Sequence, residues 1–241
     1  MIIGNRGVVA NGVGKIQTNG LRSGKMNLIN ADCLEYMQSM QDKSIDFVLT
    51  SPPYNRKRND KYELYDDLID DYYNFNVQVL NELIRLTKNY IFYNLQTNFY
   101  NKQDVYKLIG KFNKNIKEII IWEKTNPLPS SGNAITNAVE YFIVLGDKPL
   151  KSSTTYTKNI IKSSVNSSMP KFHKAVMKQE IADLIIEKFA FNSNNIFDPF
   201  MGLGTTGIAA VKNNKDFIGI ELIKEYYDYA KGAINEATGN N

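Results

Sequence analysis

From residue 26 onward, short apolar runs alternate with longer stretches in which hydrophobic residues recur every three or four positions. The runs at 27–30, 45–49, 90–94, 116–123, 139–145, 195–198 and 217–220 have the length and near-continuous apolar character of strands buried on both faces. Helical spacing fills 66–88, where Leu68, Tyr72, Phe75, Val79, Leu83 and Leu86 share one face. It returns over 175–190 with Val176, Ile181, Leu184, Ile185 and Phe189, and residues 205–213 and 223–236 predict two more helices. Seven strands alternating with helices predict an α/β fold: one seven-stranded, mostly parallel sheet with helices on both faces.

Two stretches fall outside this rhythm. Residues 1–25 carry six glycines and little apolar content, which predicts a flexible arm. Within it, Gly12-Val13-Gly14-Lys15 fails as a phosphate loop, because Val9 and Ile16 stand where Gly and Ser/Thr are required. Residues 126–170 are rich in Ser, Thr, Asn and Lys, with Pro127, Pro129 and Pro170, and a loop of that length within a domain predicts a functional segment. The expected organisation is therefore an arm over 1–25 and one catalytic domain over 26–241.

Composition changes this picture mainly through charge. The net charge of +4 sits in the arm, where Arg6, Lys15, Arg22 and Lys25 face no acid; the rest of the 241 residues balance. Yet residues 148–178 hold seven lysines and no Asp or Glu, and Arg56, Lys57 and Arg58 form a second cluster. Such clusters attract phosphate backbones, or else are solvated loops. A single cysteine, Cys33, excludes a disulfide framework and a multi-cysteine zinc site, and no metal is expected. No apolar run approaches a membrane span, so an intracellular, cytoplasmic protein with no membrane partner is expected.

The candidate chemistry lies in two segments that each close a strand-like run. Asp198-Pro199-Phe200-Met201-Gly202-Leu203-Gly204-Thr205-Thr206-Gly207 follows 195–197 and contains the G-x-G-x-x-G spacing; Glu221 ends the next strand, 23 residues after Asp198. Glycines let a ligand approach the backbone, and an acid at the second strand tip can bind both ribose hydroxyls. A carboxylate at Asp198 disfavours a diphosphate and tolerates an ammonium and a sulfonium, which favours S-adenosylmethionine over a nicotinamide cofactor. Phe197 and Phe200 offer apolar faces nearby.

The second segment, Thr50-Ser51-Pro52-Pro53-Tyr54, follows 45–49. The exocyclic amino nitrogen of a nucleobase is a poor nucleophile, since its lone pair is delocalised into the ring. Two hydrogen-bond acceptors, Ser51 Oγ and the Pro52 carbonyl, can take both amino hydrogens and favour a pyramidal nitrogen. Two successive prolines stiffen the turn, so the work is positioning and electrostatics. Tyr54 can stack on a base swung out of a duplex; otherwise it is a surface tyrosine. Methylation at cytosine C5 would need a cysteine nucleophile, and Cys33, with no adjacent proline, reads as a small buried residue.

With these residues in place, the chain resembles the DNA amino-methyltransferases that modify adenine N6 or cytosine N4. Ser51-Pro52-Pro53-Tyr54 is similar to their catalytic motif and Asp198–Gly207 to their cofactor motif. The catalytic motif comes first, the order of the β-class. The resemblance covers Met26 to about Ala233. It includes Asn30-Ala31-Asp32-Cys33-Leu34, Asp46, Phe217–Glu221, Trp122-Glu123-Lys124, Pro127 and Thr136–Tyr141. It implies a seven-stranded Rossmann-like methyltransferase sheet and S-adenosylmethionine as donor. It implies Ser51, Pro52, Pro53 and Tyr54 as catalytic residues, and Asp32, Asp198, Pro199, Phe200, Gly202, Gly204, Thr205, Thr206 and Glu221 as cofactor residues, with Asp32 at the adenine. One departure is His173-Lys174 with Lys178, where the family has a His-Pro pair and a later proline.

Double-stranded DNA is the implied partner, with a homodimer and a cognate restriction nuclease as further candidates. Arg56, Lys57, Arg58, Lys158, Lys162 and Lys171 are the expected DNA contacts, and 126–170 the target-recognition insert. Ser at position 51 leans toward cytosine and leaves adenine open. The competing readings are an RNA base methyltransferase, a protein glutamine methyltransferase and an inactive DNA-binding subunit.

Overall fold

The protein is described from a computed structural model, which describes residues 24–56, 68–127, 129, 132, 134–164 and 176–239. In chain order the elements are β1 (Met26–Asn30), α1 (Cys33–Ser39), β2 (Ile45–Thr50), α2 (Tyr72–Leu86), β3 (Thr87–Leu95), α3 (Lys102–Lys111) and β4 (Ile116–Lys124). They continue with β5 (Val139–Gly146), β6 (Ile160–Ser163), α4 (Gln179–Phe189), β7 (Asn195–Asp198), α5 (Thr205–Lys212), β8 (Asp216–Glu221) and α6 (Lys224–Ala237). The strands form one sheet in the order β1-β8-β7-β2-β3-β5-β4-β6. All pairings are parallel except those of β5, which runs antiparallel to both β3 and β4.

The α/β architecture is as expected; the strand number is not. Eight strands rather than seven are present among the described residues, because β6 pairs in parallel with β4 at the sheet edge. Its four residues, Ile160-Ile161-Lys162-Ser163, lie amid Ser, Thr and Lys and are too short to show a period. Among the described residues of 126–170, β5 is an interior strand and β6 an edge strand of the sheet. Two helices, α1 and α3, are present beyond those that the apolar spacing predicts. α1 is only seven residues long, and α3 buries just Val105 and Leu108. The arm, apart from its last two residues, lies outside the described residues, as do Lys57, Arg58, Lys171 and His173.

The helices divide between the two faces. On one, Ile181, Ile185, Ala209, Ala210, Ala230 and Ile234 from α4, α5 and α6 pack on Phe47, Leu49, Phe92 and Phe217. On the other, Met37, Val79, Leu80, Leu83, Val105 and Leu108 from α1, α2 and α3 pack on Val48, Ile91, Tyr93 and Ile220. Strand β2 is buried along its whole length, which is why Phe47, Val48 and Leu49 at its centre are all apolar, with the buried polar residues Asp46 and Thr50 flanking them. A register shift between Ile45 and Phe47 turns Ile45 to the α1–α3 side, against strict alternation. Below it, Asp46 ties the sheet's lower end together. Its carboxylate accepts from Asn194 N at 2.8 Å and pairs with Lys88 Nζ at 2.8 Å.

The topology reverses between β2 and β7. β2 leads through α2 to β3 on one side, while β7 leads through α5 to β8 on the other. The two strands are parallel neighbours, with Phe47 opposite Ile196 and Val48 opposite Phe197. A crevice must therefore open above their carboxyl ends.

Candidate active site

Both sequence segments emerge into that crevice. A cavity of about 360 Å³ is lined by Ser51, Pro52, Pro53 and Tyr54 from the β2 tip and by Pro199, Phe200 and Gly202 from the β7 tip. Asp32 from the end of β1 and Glu221 from the end of β8 complete it. Thus four strand tips, far apart in sequence, contribute to one pocket.

The two loops are stitched together by Asp198. Thr50 Oγ1 donates to Asp198 Oδ1 at 2.6 Å, and the Phe200 N–H donates to the same oxygen at 3.0 Å. Asp198 is buried, and burial pushes its carboxyl up to about 6 against the hydrogen bonds from Thr50, Thr206 and Phe200. Its carboxylate is turned to these partners, and Asp198 is not among the residues that line the cavity. Gly204, Thr205 and Thr206 also stay off the wall. Gly204 caps α5 with φ 89°, a left-handed conformation suited to glycine, while Thr206 Oγ1 reaches the Leu49 carbonyl at 3.4 Å. Gly202, with φ 54°, makes the turn that does face the cavity.

Glu221 holds that turn. Its Oε2 accepts from the Gly202 N–H and its Oε1 from the Ile223 N–H, each at 2.9 Å. Burial pushes its carboxyl up to about 7, opposed by those N–H groups and reinforced by Asp198. Asp32 caps α1, accepting from Leu34 N at 2.8 Å and Glu35 N at 3.1 Å. Cys33 is buried beside it, and burial, then the Asp32 charge, pushes its thiol up to about 12. A raised thiol pKa lowers the thiolate fraction, which disfavours Cys33 as a nucleophile for cytosine C5 chemistry.

Tyr54 is a buried residue, not a surface one. Its hydroxyl meets Ser51 Oγ at 2.8 Å, donates to Glu140 Oε2 at 3.0 Å and accepts from Asn94 Nδ2 at 2.8 Å. Its carbonyl accepts from Asn98 Nδ2 at 2.7 Å and Asn101 Nδ2 at 2.8 Å. Burial, then the Glu140 charge, holds its phenol well above the ordinary tyrosine range. The ring can still form cavity wall, but its polar end is anchored inward. Sequence reading missed this anchor, although Glu140, Lys124 and Asn94 all sit on or beside predicted strands. It also missed Phe75, which lines the cavity and meets Phe200 with ring centroids 6.0 Å apart.

The basic residues are dispersed. Arg56 lies on the cavity wall. Lys162 projects from β6, where its ammonium lies 3.0 Å from Glu123. Lys158 is exposed in the segment before β6.

The pocket fits the implied cofactor by its donor set. Its lining includes the Glu221 carboxylate, each oxygen of which keeps a lone pair for a vicinal hydroxyl, the apolar Phe200, Ile223 and Pro199, and Ser51.

Comparison with known proteins agrees. A family model described as DNA methylase, of the N6/N4 type, matches residues 45–232. The chain is 25% identical to the Type II methyltransferase M2.MboI of Moraxella bovis, over 88% of each chain. It is 26% identical to the Type II methyltransferase M.HinfI of Haemophilus influenzae, over 88% of this chain and 69% of that one. Among solved structures, PvuII DNA methyltransferase (cytosine-N4-specific) superposes with a TM-score of 0.70 at 17% identity, covering 90% of this chain and 92% of that one. TTHA0409 from Thermus thermophilus, a putative DNA modification methylase complexed with S-adenosyl-L-methionine, superposes with a TM-score of 0.63 at 21% identity, over 90% and 97% of the two chains. With the family model spanning most of its length and the family's two motifs meeting in one pocket, the chain belongs to the N6/N4 DNA methylase family.

Proposed function

We propose that the protein moves a methyl group from S-adenosylmethionine to the exocyclic amino nitrogen of adenine (N6) or cytosine (N4) in DNA. The observation that carries this is the single cavity shared by Ser51-Pro52-Pro53-Tyr54 and the Gly202 turn. Glu221 would hold the cofactor ribose, Asp32 the adenine end, and Gly202, Pro199 and Phe200 the body of the molecule. When bound, the cofactor supplies an electrophilic methyl group on a sulfonium. Ser51 Oγ and the Pro52 carbonyl accept the amino hydrogens and orient the nitrogen lone pair. The Tyr54 ring and Phe75 enclose a base that has left the duplex stack.

The DNA surface in this reading consists of Arg56 at the pocket mouth and the lysine-bearing segments flanking β5 and β6, including Lys158 and Lys162. Lys57, Arg58 and Lys171 extend it outside the described residues. Target recognition falls to the exposed parts of 126–170 on either side of β5. A second copy of the chain and a cognate restriction nuclease are its further partners; relatives named Type II methyltransferases support the latter. An intracellular setting suits a DNA substrate, and among the described residues no helix is long and apolar enough to cross a membrane.

The test is incubation with methyl-labelled donor and duplex DNA, RNA or protein in parallel, followed by mass analysis of the digested nucleosides. Label in duplex DNA as N6-methyladenine or N4-methylcytosine is expected. Ser51→Ala should lower kcat by about 10- to 100-fold, the worth of one hydrogen bond to a reacting group. Label only in RNA or glutamine, or in nothing, would favour one of the rival readings.

A further inference from the structure

Behind the Ser51 loop lies a buried polar chain that ends on one carboxylate. Glu140, on β5, receives three donors: Tyr54 Oη and Asn94 Nδ2 on Oε2, at 3.0 and 2.9 Å, and Lys124 Nζ on Oε1. The Glu140 and Lys124 side chains are only 7% and 16% exposed, so this ion pair is largely withdrawn from water. Tyr54 Oη also receives Asn94 Nδ2 and touches Ser51 Oγ at 2.8 Å.

The direction of each hydrogen follows from counting protons. A carboxylate can only accept, so the single phenolic proton of Tyr54 points to Glu140. The Ser51–Tyr54 contact must then be made with the Ser51 proton, leaving Ser51 Oγ with lone pairs alone toward the cavity. A serine hydroxyl left to itself rotates and serves as donor or acceptor alike.

We infer that Glu140 is a positioning residue that acts through Tyr54 to lock the Ser51 hydroxyl as an acceptor, so that the site admits a substrate group presenting N–H hydrogens and rejects a carbonyl oxygen. This deepens the amino-methyltransferase reading and rests on it. The network distinguishes the NH₂ of adenine or cytosine from the C=O of thymine or guanine by hydrogen polarity, before shape is considered. A buried site of fixed polarity discriminates strongly, because a mismatched partner leaves groups unpaired.

Glu140→Gln tests this at nearly constant volume. Lys124 holds the amide oxygen on its own side, so the Gln NH₂ faces Tyr54. The Tyr54 proton then turns to Ser51, and the Ser51 proton turns into the cavity against the substrate amino group. The expected result is a fall in kcat of about 10- to 100-fold. The KM for DNA and the cofactor Kd should stay within about twofold of wild type, since neither ligand touches Glu140. Tyr54→Phe, which keeps the ring, should show the same split, and the double variant should be no slower than the worse single one, as for parts of one relay.

A Glu140→Gln protein that melts like wild type and keeps kcat within about threefold would overturn the inference. So would losses that multiply in the double variant, the signature of two independent structural defects. If Glu140→Gln does not fold, Tyr54→Phe decides: kcat lowered with KM and cofactor Kd unchanged upholds the relay, and unchanged kcat overturns it. Wild-type protein that labels no nucleobase would overturn the function itself and the relay with it; active wild type with an equally active variant sinks the relay alone.

Discussion

Cofactor affinity should depend on pH through Glu221. Its carboxyl is pushed up to about 7 by burial, from an ordinary value of 4.5. Only the ionised form can accept from ribose hydroxyls while still holding the Gly202 and Ile223 N–H groups. Apparent affinity therefore scales with the ionised fraction, about nine-tenths at pH 8 and one-tenth at pH 6 for a pKa near 7. The Kd for S-adenosylmethionine should weaken about tenfold between pH 8 and pH 6, followed by titration calorimetry. Glu221→Gln should bind weakly at pH 8 and show a flat profile. Stability of the ligand-free protein has the opposite sign. A folded pKa above the unfolded one means extra bound protons in the folded state between 4.5 and about 7. Burial of this acid therefore contributes a loss of stability as pH rises through that window, of the order of 3 kcal/mol. Asp198, pushed from 3.8 to about 6, adds a loss of the same sign at lower pH. A wild-type Kd constant within about twofold from pH 6 to 8, or a Gln variant with the same slope as wild type, would refute the assignment of Glu221 to the ribose.

Two other outcomes are expected. Gly207→Ala places a Cβ 2.4 Å from Ile234 Cδ1 and 2.8 Å from Phe217, inside the α5–α6 contact against β8. It should cost about 1–3 kcal/mol as overpacking, read as a lower urea midpoint, while Gly232→Ala, which meets nothing within 4 Å, should not destabilise. Lys158→Ala with Lys162→Ala should weaken DNA binding at all sequences alike and flatten its salt dependence by about one logarithmic unit per lost phosphate contact. The exposed Lys162–Glu123 pair presents little obstacle to such a contact, being worth about 0–1 kcal/mol.

The sequence alone determined the strands that carry the site and the two loops that close them. Strands buried on both faces are largely apolar, and a stiff Pro-Pro turn or a close backbone approach restricts residue choice locally, so both leave a mark in one dimension. Glu221 was legible for the same reason, standing at a fixed distance from a glycine loop. What the sequence did not carry was the partnership of groups that meet only across the sheet. Asp198 has the residue type and spacing of a ligand contact, and nothing along the chain announces that neighbouring β2 brings Thr50 to its carboxylate. Tyr54 carries no sign of Glu140, 86 positions away, because their meeting depends on β3 and β5 pairing antiparallel with Asn94 opposite Phe142. Edge strand β6 and helix α1 were too short for any period to declare itself. Local rules of burial and backbone shape are written along the chain; the direction of a buried hydrogen bond is decided only where distant strands are brought side by side.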